Sequence, residues 1–430
     1  MRFRVPLILA ATFLAAAAAQ AQGDWATVTR GAEYAFARGQ MQHAEAGFQQ
    51  ALEIAQAFPA GDRRLEVSLE NLGRFYEHQS LFAKAQPLYQ LLLAAQEYRL
   101  GADDPELLNT LFILARVSQP MGDFPTVESS LTRFDVIAAA TGKADPRQWW
   151  QADAMLGRLQ IILEDEAAAL EWQRRAVEVL ASDSNATAEE RAIQLESLAQ
   201  MELTAGEGSR AEHLYVQIAQ LRSEEDEADA MSVIMAAGAE AAYGAGEFDT
   251  AERLALRALN AHPGADAELT SRSVLADVSW ARVNRGTDDL EVLLAAASND
   301  EEILRARDRL RSLSVLEDGA DPETLLRLVQ VDALRGQPLE ASNWQQQLIA
   351  TAAPATPKMQ LDLVTLLAAA GKTDEALTVN AEVLSDLEAE YGPNDSRLAP
   401  VLGQRMNILI DAGRKKEARK ISKQLKKISK

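Results

Sequence analysis

The chain of 430 residues has no cysteine, only four histidines and 6% aromatic residues. Without cysteine it forms no disulfide, offers no thiolate nucleophile and carries no lipid-modified N-terminal cysteine. His43, His78, His213 and His262 are scattered along the sequence and make no H-E-x-x-H or comparable ligand pair. There is no G-x-S-x-G elbow, phosphate loop or dinucleotide fingerprint. No catalytic residue, metal or cofactor is therefore expected. Positive charge is outnumbered, 43 Lys and Arg against 64 Asp and Glu, and the net charge of −21 excludes a general nucleic-acid binder. Apolar residues make up 47% of the chain and Ala and Leu are prominent among them, a balance that favours closely packed helices over a sheet.

Long apolar runs are also missing. The one candidate, Val5 to Ala19, spans about 15 residues and contains Pro6, short of the roughly 20 a spanning helix needs. Arg2 and Arg4 precede it and Ala19-Gln20-Ala21 follows, the order of a secretory signal with an A-x-A cleavage site. Residues 1–21 are predicted to be removed, leaving a mature chain that starts at Gln22 in the periplasm or outside the cell. An uncleaved anchor is the alternative.

What the chain does have is a register. A small residue recurs at Ala32, Gly73, Ala115, Gly157, Ala199, Ala239 and Ser279, at intervals of 40 to 42. Twelve residues further on, a second small position recurs at Ala44, Ala85, Ala169, Ala211 and Ala251, with Val127 as the exception. Between the two lies a turn that carries Gly39, Gly122, Gly206, Gly246 and Gly286, a residue suited to the left-handed end of a helix. The Gly-x4-Ala turn continues at Gly336–Ala341, Gly371–Ala376 and Gly413–Ala418. Asp104-Pro105, Asp145-Pro146, Asp321-Pro322 and Thr356-Pro357 read as N-caps followed by a proline whose missing N–H costs nothing at that place.

The register predicts an all-α chain of about ten antiparallel helix pairs, starting near Trp25, Arg64, Glu106, Trp149, Ala188, Ala230, Ala267, Pro322, Pro357 and Ser396. Each pair is too small to bury its own apolar face, so neighbours must supply the core. The seventh pair is degraded: after Gly286 its second helix is expected at Asp288–Ala297, without the alanine. Asp300–Leu316 then reads as an extra helix, with Ile303, Leu310 and Leu313 apolar. The predicted organisation is a first array over 22–298, an irregular inserted helix over 299–320 and a final array over 321–430.

Leu72-Gly73-x2-Tyr76 followed by Ala85-x3-Tyr89-x2-Leu92 resembles the tetratricopeptide signature. The repeat near 42, with Ala85-Gln86-Pro87-Leu88-Tyr89 and the linker Leu100-Gly101-Ala102-Asp103-Asp104-Pro105, is similar to the kinesin-light-chain type of that family. Tyr391-Gly392-Pro393-Asn394-Asp395 is a weaker copy of the same linker. The resemblance implies a right-handed α-solenoid whose concave groove, lined by the first helices, binds a protein or peptide. It also implies no catalytic residues.

Arg74, Arg116 and Arg158 each follow the small residue, 42 apart. On a groove wall they would favour carboxylates, which guanidinium binds in a bidentate fork. Asn71, Asn109 and His78 lie close enough in sequence to bind a peptide backbone. The alternative is that the arginines pair with acids such as Glu70 or Glu77 and merely solvate the face. From Arg414 to Lys430 nine basic residues face one acid, Glu417, with Ile421, Leu425 and Ile428 in a stripe. This segment reads as a polar-faced capping helix, with a membrane surface or other anionic partner as the second reading. The acidic run Glu224–Asp229 lacks the spacing of a calcium loop and reads as a solvated helix start. The six tryptophans read as filler between repeats. Two functions follow: a periplasmic non-enzymatic scaffold holding a protein or peptide, acidic if the arginines line the groove, or an envelope-associated structural protein docked through its basic C-terminal helix.

Overall fold

The computed structural model describes residues 24–223, 230–316, 321–352 and 354–428. The predicted signal segment 1–21 and the acidic run 224–229 lie outside the described residues. Among those described there are helices and no strand, as expected for an all-α chain of tetratricopeptide-like helix pairs. The chain divides into two compact units, one through Met201 and one from Glu202.

The first unit holds four pairs: α1 (24–37) with α2 (Met41–Gln56), α3 (Arg63–His78) with α4 (Phe82–Leu100), α5 (Leu107–Ser118) with α6 (Phe124–Thr141) and α7 (Pro146–Ile162) with α8 (Glu166–Leu180). Most of α9 (Ala188–Thr204) belongs to it as well. Each pair packs face to face, and each second helix from α2 to α6 also packs on the first helix of the next pair. That stacking makes the core continuous, because a lone pair leaves one apolar face open.

The second unit holds α10 (Gly208–Ser223), α11 (Ala230–Gly244) with α12 (Phe248–Asn260), α13 (Ala265–Val283), α14 (Leu290–Ala295) and α15 (Glu301–Leu316). It continues with α16 (Pro322–Leu334) and α17 (Pro338–Thr351), α18 (Pro357–Ala369) and α19 (Thr373–Tyr391), and α20 (Ala399–Asp411) and α21 (Lys415–Ile428). Among the described residues α9 and α10 follow the same helix–turn–helix order in sequence as the other pairs.

The small positions do what their spacing implies. Ala32, Ala115, Ala199, Ala239 and Ser279 are buried, and so are Ala44, Ala85, Ala169, Ala211 and Ala251. A side chain on Gly73 would come within 3.0 Å of the Tyr89 ring, and one on Gly238 within 2.8 Å of Tyr215. The turn glycines Gly39, Gly122, Gly206, Gly246, Gly286, Gly336, Gly371 and Gly413 all have positive φ. The turns within the second and fourth pairs have no glycine, and Ser80 and Glu164 take the left-handed position themselves, at φ 56° and 63°. Asp145, Asp321 and Thr356 cap their helices by accepting bonds from backbone N–H groups, the first from Arg147 and Gln148. Asp104 differs: it accepts from the Glu106 N–H, but the helix begins only at Leu107, so Asp104-Pro105 closes a turn.

The seventh pair reverses the expected roles. The segment predicted as an inserted helix, α15, is the true second helix: it packs along α13 and onto α16, as α12, α17 and α19 bridge their neighbours. Ala306-x3-Leu310-x2-Leu313 repeats the spacing of Ala85-x3-Tyr89-x2-Leu92, and all three residues are buried. The insertion is the stretch before it, which separates Ser279 from Ala306 by 27 residues where other pairs need twelve. The segment expected as the second helix, α14, is six residues long, too short to cover α13, and packs on α16 and α18 through buried Leu290 and Leu293. The division between compact units falls inside α9, and the core runs from α13 through α15 to α16.

All six tryptophans have internal roles. Trp25, Trp149, Trp150 and Trp344 donate their indole N–H to Ser68, Asp135, Asp183 and Asp332 respectively. Trp172 packs on the core with Arg175 over its ring, and Trp280 packs beside α15. One polar group is poorly served. Asp153, on α7, is fully buried with no hydrogen-bond partner for either oxygen. The guanidinium of Arg175 stops 4.0 Å away and is engaged with Asp135. Burial pushes the Asp153 carboxyl up to about 7 against the pull of Arg175.

Three outcomes follow. Ser80→Gly and Glu164→Gly should each raise stability, by about 1 kcal/mol, because a β-carbon strains the left-handed region; an unchanged urea midpoint for both counts against the shared turn. Ala306→Leu should cost about 1–3 kcal/mol by overpacking, while Ala295→Leu on exposed α14 should be near neutral in the same melt. Asp153 has a folded pKa above its unfolded value, so its contribution is complete below about pH 4 and is lost as pH rises toward 7. Asp153→Asn should therefore raise the Tm at pH 8, with the gain shrinking at pH 5.

Candidate functional site

In the first unit, the first helices of the four pairs enclose a groove of about 510 Å³. It brings together four of the six predicted site residues: Arg74 and His78 from α3, and Asn109 and Arg116 from α5. The arginines arrive there because the residue after a buried small position is rotated about 100° from the pair interface. Residues three before and one after the small residue share a helical face at i, i+4 spacing. That face carries Glu70 and Arg74 on α3 and Phe112 and Arg116 on α5.

The two arginines are not equivalent. Arg116 forms an ion pair with Glu77, whose other oxygen accepts from the buried Tyr89 hydroxyl at 3.0 Å. Burial, and then the Glu77 carboxylate, push the Tyr89 phenol well above its ordinary value, so it stays a donor and holds Glu77 in place. The pairing expected as the alternative to ligand binding thus exists for Arg116, although half of its side chain stays exposed. Such a half-exposed pair is weak enough to exchange partners. Arg74 is exposed and makes no ion pair among the described residues.

Asn109 is exposed, and its side-chain oxygen accepts from Gln148 of α7 at 3.0 Å. His78 packs edge-on against Phe36 of α1, with ring centroids 5.1 Å apart. Two predicted residues lie outside the groove lining. Asn71 turns toward α1 and donates to Glu33 at 3.4 Å. Arg158 holds the equivalent place on α7 with an accessible side chain, yet surrounding protein lowers its affinity for a proton by desolvation. It keeps its charge nonetheless, because a guanidinium does not deprotonate in proteins.

The sequence ladder missed the apolar floor, formed by Phe36, Phe112 and Ile113. Its signal was present: Phe36 lies four residues after Ala32, and Phe112 three before Ala115, both on the face that carries the arginines. The assembled groove therefore offers one free cation, one exchangeable cation, amide donors and an aromatic floor. The same lining holds the carboxylates Glu70 and Glu77, so its cations and acids stand side by side over the apolar floor. Among the described residues no three His, Asp or Glu side chains are grouped to hold a metal.

No family model matches the chain, and no curated protein matches it. Solved structures do. A putative kinesin light chain from Podospora anserina with nearly identical TPR-like repeats is 20% identical, covering 47% of this chain and 96% of that one, with a TM-score of 0.38. A tetratricopeptide repeat protein from Parabacteroides merdae is 14% identical, covering 72% and 99%, with a TM-score of 0.37. BtubC from P. vanneervenii is 18% identical, covering 56% and 91%, with a TM-score of 0.36.

Proposed function

We propose that the chain is a non-enzymatic scaffold that holds a segment of a partner protein in the groove of α1, α3, α5 and α7. The observation that supports this most is the convergence of Arg74, Arg116, His78 and Asn109 over Phe36 and Phe112. The favoured segment is extended and carries an acidic side chain for Arg74 beside an apolar one for the floor. Arg116 joins by exchanging Glu77 for the ligand, and Arg158 extends the cationic wall along α7. Tetratricopeptide-like pairs suit this task because the backbone polar groups are satisfied within helices, leaving the groove chemistry to side chains alone.

The partner is met outside the cytoplasm. Arg2, Arg4, the apolar run and Ala19-Gln20-Ala21 support export and cleavage near Ala21, and N-terminal sequencing of the secreted chain should return Gln22. A second reading is favoured by α21, which exposes Lys415, Lys416, Arg419, Lys420, Lys423, Lys426 and Lys427. Its apolar stripe is spent inside: Ala418 and Ile428 are buried, and Ile421 and Leu425 pack on the last core clusters. What remains is electrostatic attachment to an anionic surface, without insertion. No helix among the described residues is long and apolar enough to cross a membrane.

Changing Arg74, Arg116 and Arg158 together to Glu should weaken capture of partners from native envelope extract at least tenfold, while the Tm moves only a few degrees. Unchanged capture by the folded triple variant would sink the groove assignment. Replacing the exposed lysines of α21 with Gln should leave that capture intact and reduce co-sedimentation with anionic vesicles if the second reading holds.

A further inference from the structure

The second unit carries a groove of its own, of about 770 Å³, between the first helices α18 and α20 and the inserted α14. The insertion builds one wall. Leu290 and Leu293 anchor α14 in the core, which leaves Glu291 and Leu294 on the groove side. Apolar surface comes from Leu294, Leu361 and Ile408, while the charged groups are Glu291, Asp362, Asp411 and a single cation, Lys358. That cation is spoken for: its ammonium is ion-paired to Asp288, just before α14, and the pair tethers α18 to the insertion. Neither Asp362 nor Asp411 forms a hydrogen bond or ion pair through its carboxylate among the described residues. The groove amide of Gln404 supplies nothing to them, since its N–H bonds are taken by the Leu361 carbonyl and the Thr365 hydroxyl.

We propose that this groove is a second docking site of opposite polarity, whose occupant is a cationic segment of another protein with lysine or arginine beside an aliphatic residue. Three carboxylates, facing a single groove cation that is already paired to Asp288, surround an aliphatic floor, and the complementary chain supplies ammonium or guanidinium groups with an apolar stem between them. Asp362 marks the deepest acidic point. Burial raises its carboxyl to about 6, with Lys358 opposing and Asp288 and Asp289 adding to the rise. Glu291 and Asp411 face the same space from α14 and α20. A bound cation therefore meets an ionised Asp362 at neutral pH and a largely protonated one at pH 5. The site owes nothing to the arginine groove, because it lies wholly in the second unit and rests on the inserted segment.

The test is fluorescence anisotropy of the full chain with a labelled peptide of alternating Lys and Leu, beside an equally long Glu and Leu peptide. The Lys peptide should bind and the Glu peptide should not bind this groove. Asp362→Asn with Asp411→Asn should weaken the Lys peptide at least tenfold. Glu382→Gln with Asp386→Asn, an equal change of net charge at exposed positions on α19, should alter it less than twofold. Ala369→Trp, which fills the groove without changing charge, should also weaken binding, and covers the case in which the Asn variants fold poorly. Binding to the parent chain should be weaker at pH 5 than at pH 7.5, and the triple arginine variant should leave it unchanged. Equal loss in both paired variants would assign the attraction to the overall negative charge and overturn the site. Failure of the parent to bind the Lys peptide, or full binding to Ala369→Trp, would overturn it as well.

Discussion

Helix pairs in this chain stand or fall on one contact, the close approach of a first helix to its second helix at a position where no long side chain fits. Gly73 lies beneath the Tyr89 ring and Gly47 against Ala32, while Gly238 of α11 makes a similar approach between pairs, beneath Tyr215 of α10. Bringing backbones this near maximises dispersion contact per residue and fixes the rotation of each helix about its axis. Once the rotation is fixed, so is everything that faces outward. The residue after the small one must point away from its partner helix, which is why Arg74 and Arg116 reach one groove, where Arg116 pairs with Glu77.

Much of this was legible because it is periodic. Small residues at fixed spacing report helix contacts whatever the rest of the sequence does, and all eight predicted turn glycines take the left-handed conformation. Periodicity also explains the failures. The seventh pair departs from its expected form because the Gly286 turn is followed immediately by a short apolar segment that mimics a second helix. Helix length decides otherwise: six residues of α14 cannot match the 19 of α13, whereas the 16 of α15 can. The Ala306, Leu310, Leu313 spacing was available, displaced by the insertion. Likewise the groove floor of Phe36 and Phe112 was hidden because its members sit at different offsets from the small residue and only the helical face unites them. Whether an arginine is free or engaged was beyond any spacing argument, since the Arg116–Glu77 pair depends on a tyrosine from a third helix.

The two grooves differ in origin as well as charge. The one in the first unit is built from the repeat itself, four consecutive first helices with substitutions at shared positions. The one in the second unit needs a departure from the repeat, a segment inserted between the helices of the seventh pair that folds over α16 and α18. A repeat array tolerates such an insertion because its ends remain close, Val283 and Glu301 bounding helices that pack together, so the closure cost grows only slowly with the added length.

That tolerance has a consequence for how an acidic chain can be selective. A net charge of −21 attracts cations everywhere, and exposed carboxylates alone discriminate poorly because solvent and salt screen them. Selectivity requires that charge be held where water is partly excluded and where no internal partner satisfies it. Most ion pairs here are internal: Glu252 takes both Arg282 and Arg309, and Asp332 takes Arg307, Arg335 and the Trp344 indole. Against that background Asp362, half-buried in a groove and with the Lys358 ammonium paired to Asp288, stands apart, as Asp153 does in the closed core of the first unit. The same logic with reversed sign applies to Arg74. In each unit the proposed groove is distinguished by the charge that the fold leaves unanswered, and this remainder, set by which neighbours are paired, is what would give an otherwise repetitive surface separate binding chemistries.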